Sequence, residues 1–176
     1  MNHINSENIA NVFDEHVKSE FVDKDVEATM NTMIEEPYVH HVPVLTGGTG
    51  YDGVYKFYKN HFIGRTPIDT NIVRISRTVG KEQVVDEIII SFTHDIEMDF
   101  ILPGIAPTGR HVDIPVVIIM KFDDTKIAHE HVYWDQASVL AQIGMIDTKS
   151  LPIVGIEQAK KLLEISRKNI DQKPEQ

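Results

Sequence analysis

This 176-residue sequence predicts an α+β fold, helices first and a curved run of antiparallel strands after them. Two observations predict it. Apolar residues recur at helical spacing up to about residue 62 and switch to two-fold alternation after Pro67. The strand-like segments then follow one another across short turns, instead of alternating with helices as a doubly wound sheet requires.

Each element can be justified in order. Ile9, Val12, Phe13 and Val17 mark a first helix over 6–20, with Ser6 as its N-cap. Asp23 is placed to cap a second, carrying Val26, Met30, Met33 and Ile34 and stopping before Pro37. Residues 38–45 read as a short strand ending in the turn Thr46-Gly47-Gly48. A third helix over about 51–62 carries Val54, Phe57, Tyr58 and Phe62 on one stripe. Residues 69–79 and 83–100 read as paired strands joined around Gly80-Lys81. The turn-rich segment 103–109 leads to a strand over 111–122, and Asp123-Asp124-Thr125-Lys126 turns into a last strand over 127–135. A short helix from Ser138 to Ile143, closed by Gly144, and a terminal helix over about 155–168 complete the chain. The expected organisation is one domain over 1–150 with a C-terminal helical extension over 151–176.

Composition excludes several function classes. Seventeen Lys and Arg face 27 Asp and Glu, a net charge of −10, and the basic residues form no run. Nucleic acid and anionic membranes are therefore not expected partners. Cysteine is absent, which excludes disulfides, thiolate metal sites and cysteine nucleophiles. No apolar run approaches the roughly 20 residues of a membrane span. The first seven residues are polar, with no signal-like pattern, so a cytoplasmic location is the expectation.

Alternate residues of a strand point to opposite faces, so parity locates polar groups on apolar faces. On the even face of 84–100, Asp86 and His94 stand among Val84, Ile88, Ile90, Phe92 and Ile96. In 127–135, strict alternation groups Ile127, His129, His131, Tyr133 and Asp135 against Ala128, Glu130, Val132 and Trp134. The first set reads as a pocket wall, or alternatively as a solvent-facing edge with Val132 and Trp134 in the core. One of His40 and His41 must point inward. Strand 111–122 is apolar on both faces, which implies a cover on the back of the sheet, a second subunit being one candidate. The expected ligand contacts are His41, Tyr58, Phe92, His129 and Tyr133. His129 and His131 would chelate a cation only if a third ligand such as His94 or Asp135 faced them, so neither metal nor cofactor is expected. Gly48-x-Gly50-x-x-Gly53 has the spacing of a dinucleotide-binding turn but lacks the parallel βαβ context, and reads as a turn that opens a helix.

From about residue 10 to 146 the order of elements resembles the SnoaL-like polyketide cyclases of the NTF2-like superfamily. The likeness is carried by Lys126-Ile127, Glu130, His131, Asp135 and Gln142-Ile143-Gly144, and upstream by Pro107-Thr108-Gly109-Arg110. Asp86-Glu87, Thr93-His94-Asp95 and Leu102-Pro103-Gly104-Ile105 also resemble a subgroup labelled carboxymethylenebutenolidase-like. The resemblance implies a cone of curved sheet wrapped around helices, often paired through the outer face of the sheet. It also implies a cofactor-independent cyclase or isomerase acting on a small apolar carbonyl or lactone. Asp135 would be its general acid/base, assisted by His94 and His131, with Asp86 orienting one of them. Two positions depart from the family pattern: His131 replaces an aromatic residue, and 112–122 carries no histidine. A non-catalytic ligand-binding or dimerisation module on the same fold is the competing class.

Overall fold

The computed structural model describes residues 2–171, with side chains described over 6–167. Helix α1 (Asn2–Lys18) runs directly into a π-helical turn, Ser19–Asp23. Ser6 thus lies inside the first helix, not at its cap. Asp25, not Asp23, caps α2 (Val26–Asn31), its side chain accepting from the Ala28 N–H at 3.0 Å. Met33 and Ile34 leave that helix and open strand β1 (Met33–His41), which starts before Pro37. Strand β2 (Thr46–Thr49) occupies what reads in sequence as a turn. Helix α3 (Gly50–Phe57) ends in a second π-helical turn, Tyr58–Phe62. The Gly-x-Gly-x-x-Gly run opens α3, as its context implies. A Cβ on Gly48 would lie 2.3 Å from the Gly53 carbonyl oxygen, so only glycine lets these two backbones meet.

Strands β3 (Asn71–Val79), β4 (Gln83–Thr93), β5 (His111–Asp123) and β6 (Lys126–Trp134) follow, then α4 (Gln136–Gln142) and α5 (Glu157–Asp171). β4 ends at Thr93, whose N–H and hydroxyl are taken by the Asp69 carboxylate at 3.0 and 2.6 Å. Residues 94–110 form a loop in place of the expected continuation to residue 100. Residues 172–176 of the expected C-terminal extension lie outside the described residues.

The six strands form one curved, open sheet in the order β2-β1-β6-β5-β4-β3. Every neighbouring pair is antiparallel except β1 and β6, which run parallel, so the sheet is mixed and not wholly antiparallel. The even residues of β5, from Val112 to Phe122, are all buried and share one core with Ile9 and Phe13 of α1 and Val54 and Phe57 of α3. Helix α5 packs against β5, with Ala159 1% exposed, so the chain itself supplies a cover that the doubly apolar strand requires. Among the described residues no helix is long and apolar enough to cross a membrane.

One irregularity decides what faces the concave side. Lys121 pairs with His129 and Phe122 with Ile127, so Ala128 is an extra residue, a β-bulge. Ile127 points inward before the bulge, and Glu130, Val132 and Trp134 point inward after it. His129, His131 and Tyr133 are thereby turned to the outer face, against the expectation from strict alternation.

Candidate functional site

The concave side encloses a cavity of about 50 Å³, walled mainly by apolar side chains, with Glu20, His41, Thr66, Thr70 and Glu130 as its polar lining. Phe92, Phe100 and Trp134 also line it.

Glu20 and Glu130 belong to a buried cluster with His16, Thr32 and Tyr58, each no more than 6% exposed. His16 lies on the apolar stripe of α1 set by Ile9 and Phe13, and Glu20 follows one turn later at the start of the π turn. Tyr58 opens the other π turn. A wide turn displaces the side chains that follow it from the regular helical stripe, and such turns concentrate at functional sites.

The hydrogen bonds admit one consistent set of donors. Thr32 Oγ1 donates to the Thr29 carbonyl at 2.7 Å, so it accepts from His16 Nδ1–H at 2.6 Å. Tyr58 OH donates to Glu130 Oε2 at 3.2 Å and can therefore accept from His16 Nε2–H at 3.0 Å. His16 is the imidazolium in this arrangement. Glu20 Oε1 stands 3.2 Å from Nε2 and Glu130 Oε2 stands 3.9 Å from it. Glu20 Oε1 nevertheless makes no aligned hydrogen bond, a buried acceptor left unused.

The electrostatics agree with that proton count. Burial, reinforced by the Glu20 charge, pushes Glu130 up to about 8, with His16 and Tyr58 opposing. Burial by itself would lower His16, but the Glu20 and Glu130 charges overcome it and hold the imidazole above its ordinary value. Burial and the same carboxylates raise Tyr58 well above its ordinary value, so it stays a phenol. At neutral pH Glu130 thus keeps its proton, and the neighbouring carboxyls hold the His16 ring toward its charged form.

His41 is the inward member of the His40-His41 pair. Its Nδ1–H donates to the Phe100 carbonyl at 3.1 Å, and burial lowers it to about 4. It is thus a neutral ring packed edge-on among Phe57, Phe62, Phe100 and Trp134. The nearest ligand atoms of His16, Glu20 and Glu130 lie within 4.8 Å of one another, close enough to hold a cation.

The residues expected to carry chemistry are distributed differently. Asp135 is exposed and caps α4, accepting from the Ser138 N–H at 3.1 Å and from Gln158 Nε2 at 2.6 Å. It does not line the cavity. Asp86 does point inward, yet it orients no histidine: Arg77 Nε and Nη2 grip its two oxygens at 2.6 and 2.7 Å. His94 is fully buried at the base of the 94–110 loop, with Nδ1 3.2 Å from Thr108 Oγ1 and no partner for Nε2. His129 and His131 stack at 4.5 Å on the outer face beside Tyr38, whose hydroxyl is 3.0 Å from His131 Nε2. Tyr133, 41% exposed, shares that face, so the six groups form no common site. Of the expected ligand contacts, His41 and Phe92 line the cavity, and Tyr58 stands behind Glu130.

Sequence reasoning missed His16, Glu20 and Glu130, although each left a signal. His16 and Glu20 fall on the stripe 9-13-16-20, and Glu130 shares its parity with Val132 and Trp134.

No curated protein matches this sequence significantly. Among solved structures, a proposed SnoaL-like polyketide cyclase from Jannaschia sp. CCS1 superposes with a TM-score of 0.63 at 19% identity, covering 81% of this chain and 93% of that one. The epoxide hydrolase/cyclase-like enzyme SalBIII, connected with pyran ring formation in salinomycin, gives 0.57 at 14% identity over 77% and 95%. A protein of ketosteroid isomerase-like fold from Catenulispora acidiphila, in complex with trimethylamine, gives 0.59 at 12% identity over 77% and 93%. These likenesses establish the NTF2-like fold. The sequence pattern of the SnoaL-like polyketide cyclases matches residues 11–143, and the chain belongs to that family.

Proposed function

We propose that this chain is a cofactor-independent acid/base enzyme of the cyclase or isomerase type, acting on a small apolar carbonyl compound or lactone. One observation carries the reading: two buried carboxyls on the wall of an apolar cavity, of which Glu130 keeps its proton at neutral pH while Glu20 stands beside a cation. Paired carboxyls whose surroundings separate their proton affinities divide into an acid and a base.

Glu20 then takes the proton α to the substrate carbonyl, and Glu130 gives its proton to the carbonyl oxygen, producing an enol. In an isomerisation, Glu20 returns its proton at a different carbon and the enol O–H goes back to Glu130. In a cyclisation, the enol carbon attacks a second carbonyl of the same molecule. The new alkoxide takes the proton from Glu20, and the enol proton returns to Glu130. Either route restores both carboxyls. His16 and Tyr58 touch the carboxyls and act as positioning residues. The cyclase-like and isomerase-like folds of the neighbours support this class.

The narrower carboxymethylenebutenolidase-like placement enters the proposal as lactone binding, since no cysteine is present for hydrolysis. A cytoplasmic location and pairing of two copies through the outer sheet face belong to the same proposal. The second reading, a binding module without chemistry, is favoured by the Phe62, Phe92, Met98 and Phe100 walls.

The test is α-deuteration of cyclohexanone and γ-valerolactone in heavy water, followed by proton NMR. Exchange above the buffer rate, reduced at least about 100-fold by Glu20→Gln and by Glu130→Gln, is the expected result. Saturable binding without exchange would establish the second reading in its place.

A further inference from the structure

The cavity is too small for the substrate it serves. About 50 Å³ falls well below the roughly 300–1,000 Å³ of ordinary ligand sites. It is not isolated, however. A groove of about 390 Å³ adjoins it, and the two share Phe21, Thr66 and Thr70 as common lining. Beyond that neck the groove wall includes Val22, 71% exposed, and Ile68, 98% exposed, two large apolar side chains left in water. At the neck itself, Thr70 Oγ1 is buried without a hydrogen-bond partner among the described residues.

We propose that the natural ligand is elongated, with its carbonyl head in the inner cavity and an apolar tail through the Phe21–Thr70 neck onto Val22 and Ile68. The inference rests on the acid/base reading for what the head does, and on the lining that the two adjoining spaces share for the tail. Glu20 Oε1 and Thr70 Oγ1 are the two unused polar atoms along this path, one at the head and one at the neck. They suit a ligand with one oxygen function at its end and a second polar atom part-way along, the rest being hydrocarbon. Phe21 lines both spaces and packs edge-on against Phe62 at 5.5 Å, so its ring sets the width of the passage. Val22, Ile68 and Phe21 would then determine specificity for tail length and thickness, apart from the groups that move protons.

Binding of methyl ketones of rising length, 2-butanone to 2-nonanone, tests this. The readout is the fluorescence of Trp134, the sole tryptophan, which lines the inner cavity. Affinity should rise about fourfold per added methylene once the chain passes the neck, the value for burying one CH₂. Ile68→Asp and Val22→Asp should each cut the 2-nonanone to 2-butanone affinity ratio at least about tenfold. Ile165→Asp, an equally surface-borne substitution on α5, should leave the ratio as it is. A ratio near one in the wild type, or a steep ratio that Ile68→Asp does not change, overturns the proposal. Failure of the acid/base reading looks different: graded binding would persist while α-deuteration is absent. Chain-independent binding with active exchange would sink the tail site alone.

Discussion

Glu130→Gln should remove a pH dependence of stability that the native protein carries. The buried carboxyl holds its proton up to about 8, against an unfolded value near 4.3. Between these values the folded state binds one proton more than the unfolded state, so stability falls as pH rises. The slope is about 1.4 kcal/mol per pH unit, and below the unfolded value the contribution is fully present. Across the window the loss reaches several kcal/mol. In a domain of this size 1 kcal/mol moves Tm by roughly 2–4 °C, so the native protein should lose roughly 3–6 °C per pH unit from this group alone. Glutamine cannot titrate, yet its amide oxygen can still accept from Tyr58 OH, so the variant keeps the local bond. Thermal melts of both proteins from pH 5 to 9 isolate Glu130, because every other carboxylate contributes to both curves. The difference should change steadily in favour of the variant up to about pH 8 and then level off. Parallel curves from pH 5 to 8 would mean that Glu130 ionises normally and that the acid assignment is wrong.

Tyr58→Phe deletes the hydroxyl between His16 Nε2 and Glu130 Oε2; it should destabilise by about 1–3 kcal/mol in urea titrations and slow α-deuteration at least tenfold. Asp135→Ala should cost about 1 kcal/mol, the value of a lost helix cap, and leave α-deuteration intact; a loss of exchange with the helix unchanged would return the acid/base role to Asp135. Dialysis against EDTA should leave exchange unchanged, because the proposed proton transfers run between side chains and substrate alone; loss that a divalent cation restores would assign the His16–Glu20–Glu130 cluster to a metal.

How much of this was legible in the sequence depends on where local rules hold. The α+β class followed from the change of period at Pro67, and parity within a short strand required that one of His40 and His41 point inward, which is His41. In β6 alternation left two assignments open, and the one observed puts Val132 and Trp134 inside; Ala128 is an added residue, which lets Ile127 point inward too, and a bulge leaves no mark in an alternating pattern. The pattern His129, His131, Tyr133 looked like a pocket wall and is the outer face. On α1 the opposite happened: His16 and Glu20 sit on the apolar stripe, but a polar residue there reads as a helix ending, and here α1 does give way to a π turn at Ser19. Asp25, not Asp23, caps α2 because that π turn carries the chain through Asp23 and a left-handed Lys24 before the next helix begins. The parallel pairing of β1 with β6 spans some 90 residues of sequence and has no local signature.

These departures share one physical consequence. An irregular step lets an element turn a polar group into an apolar wall that its regular pattern would leave apolar. The π turn after α1 carries Glu20, the π turn after α3 carries Tyr58, and the bulge in β6 carries Glu130. Three separate elements each break period next to the same cluster, and each break brings in a residue that would be costly there without the others. Tyr58 satisfies Glu130, His16 offsets Glu20, and Thr32 fixes the ring that joins them. The residues are interdependent in stability and in proton count. The position of Glu130 beside Glu20 is therefore set by the backbone itself, which makes the proposed acid/base pair depend on this fold's irregularities as well as on its strand pattern.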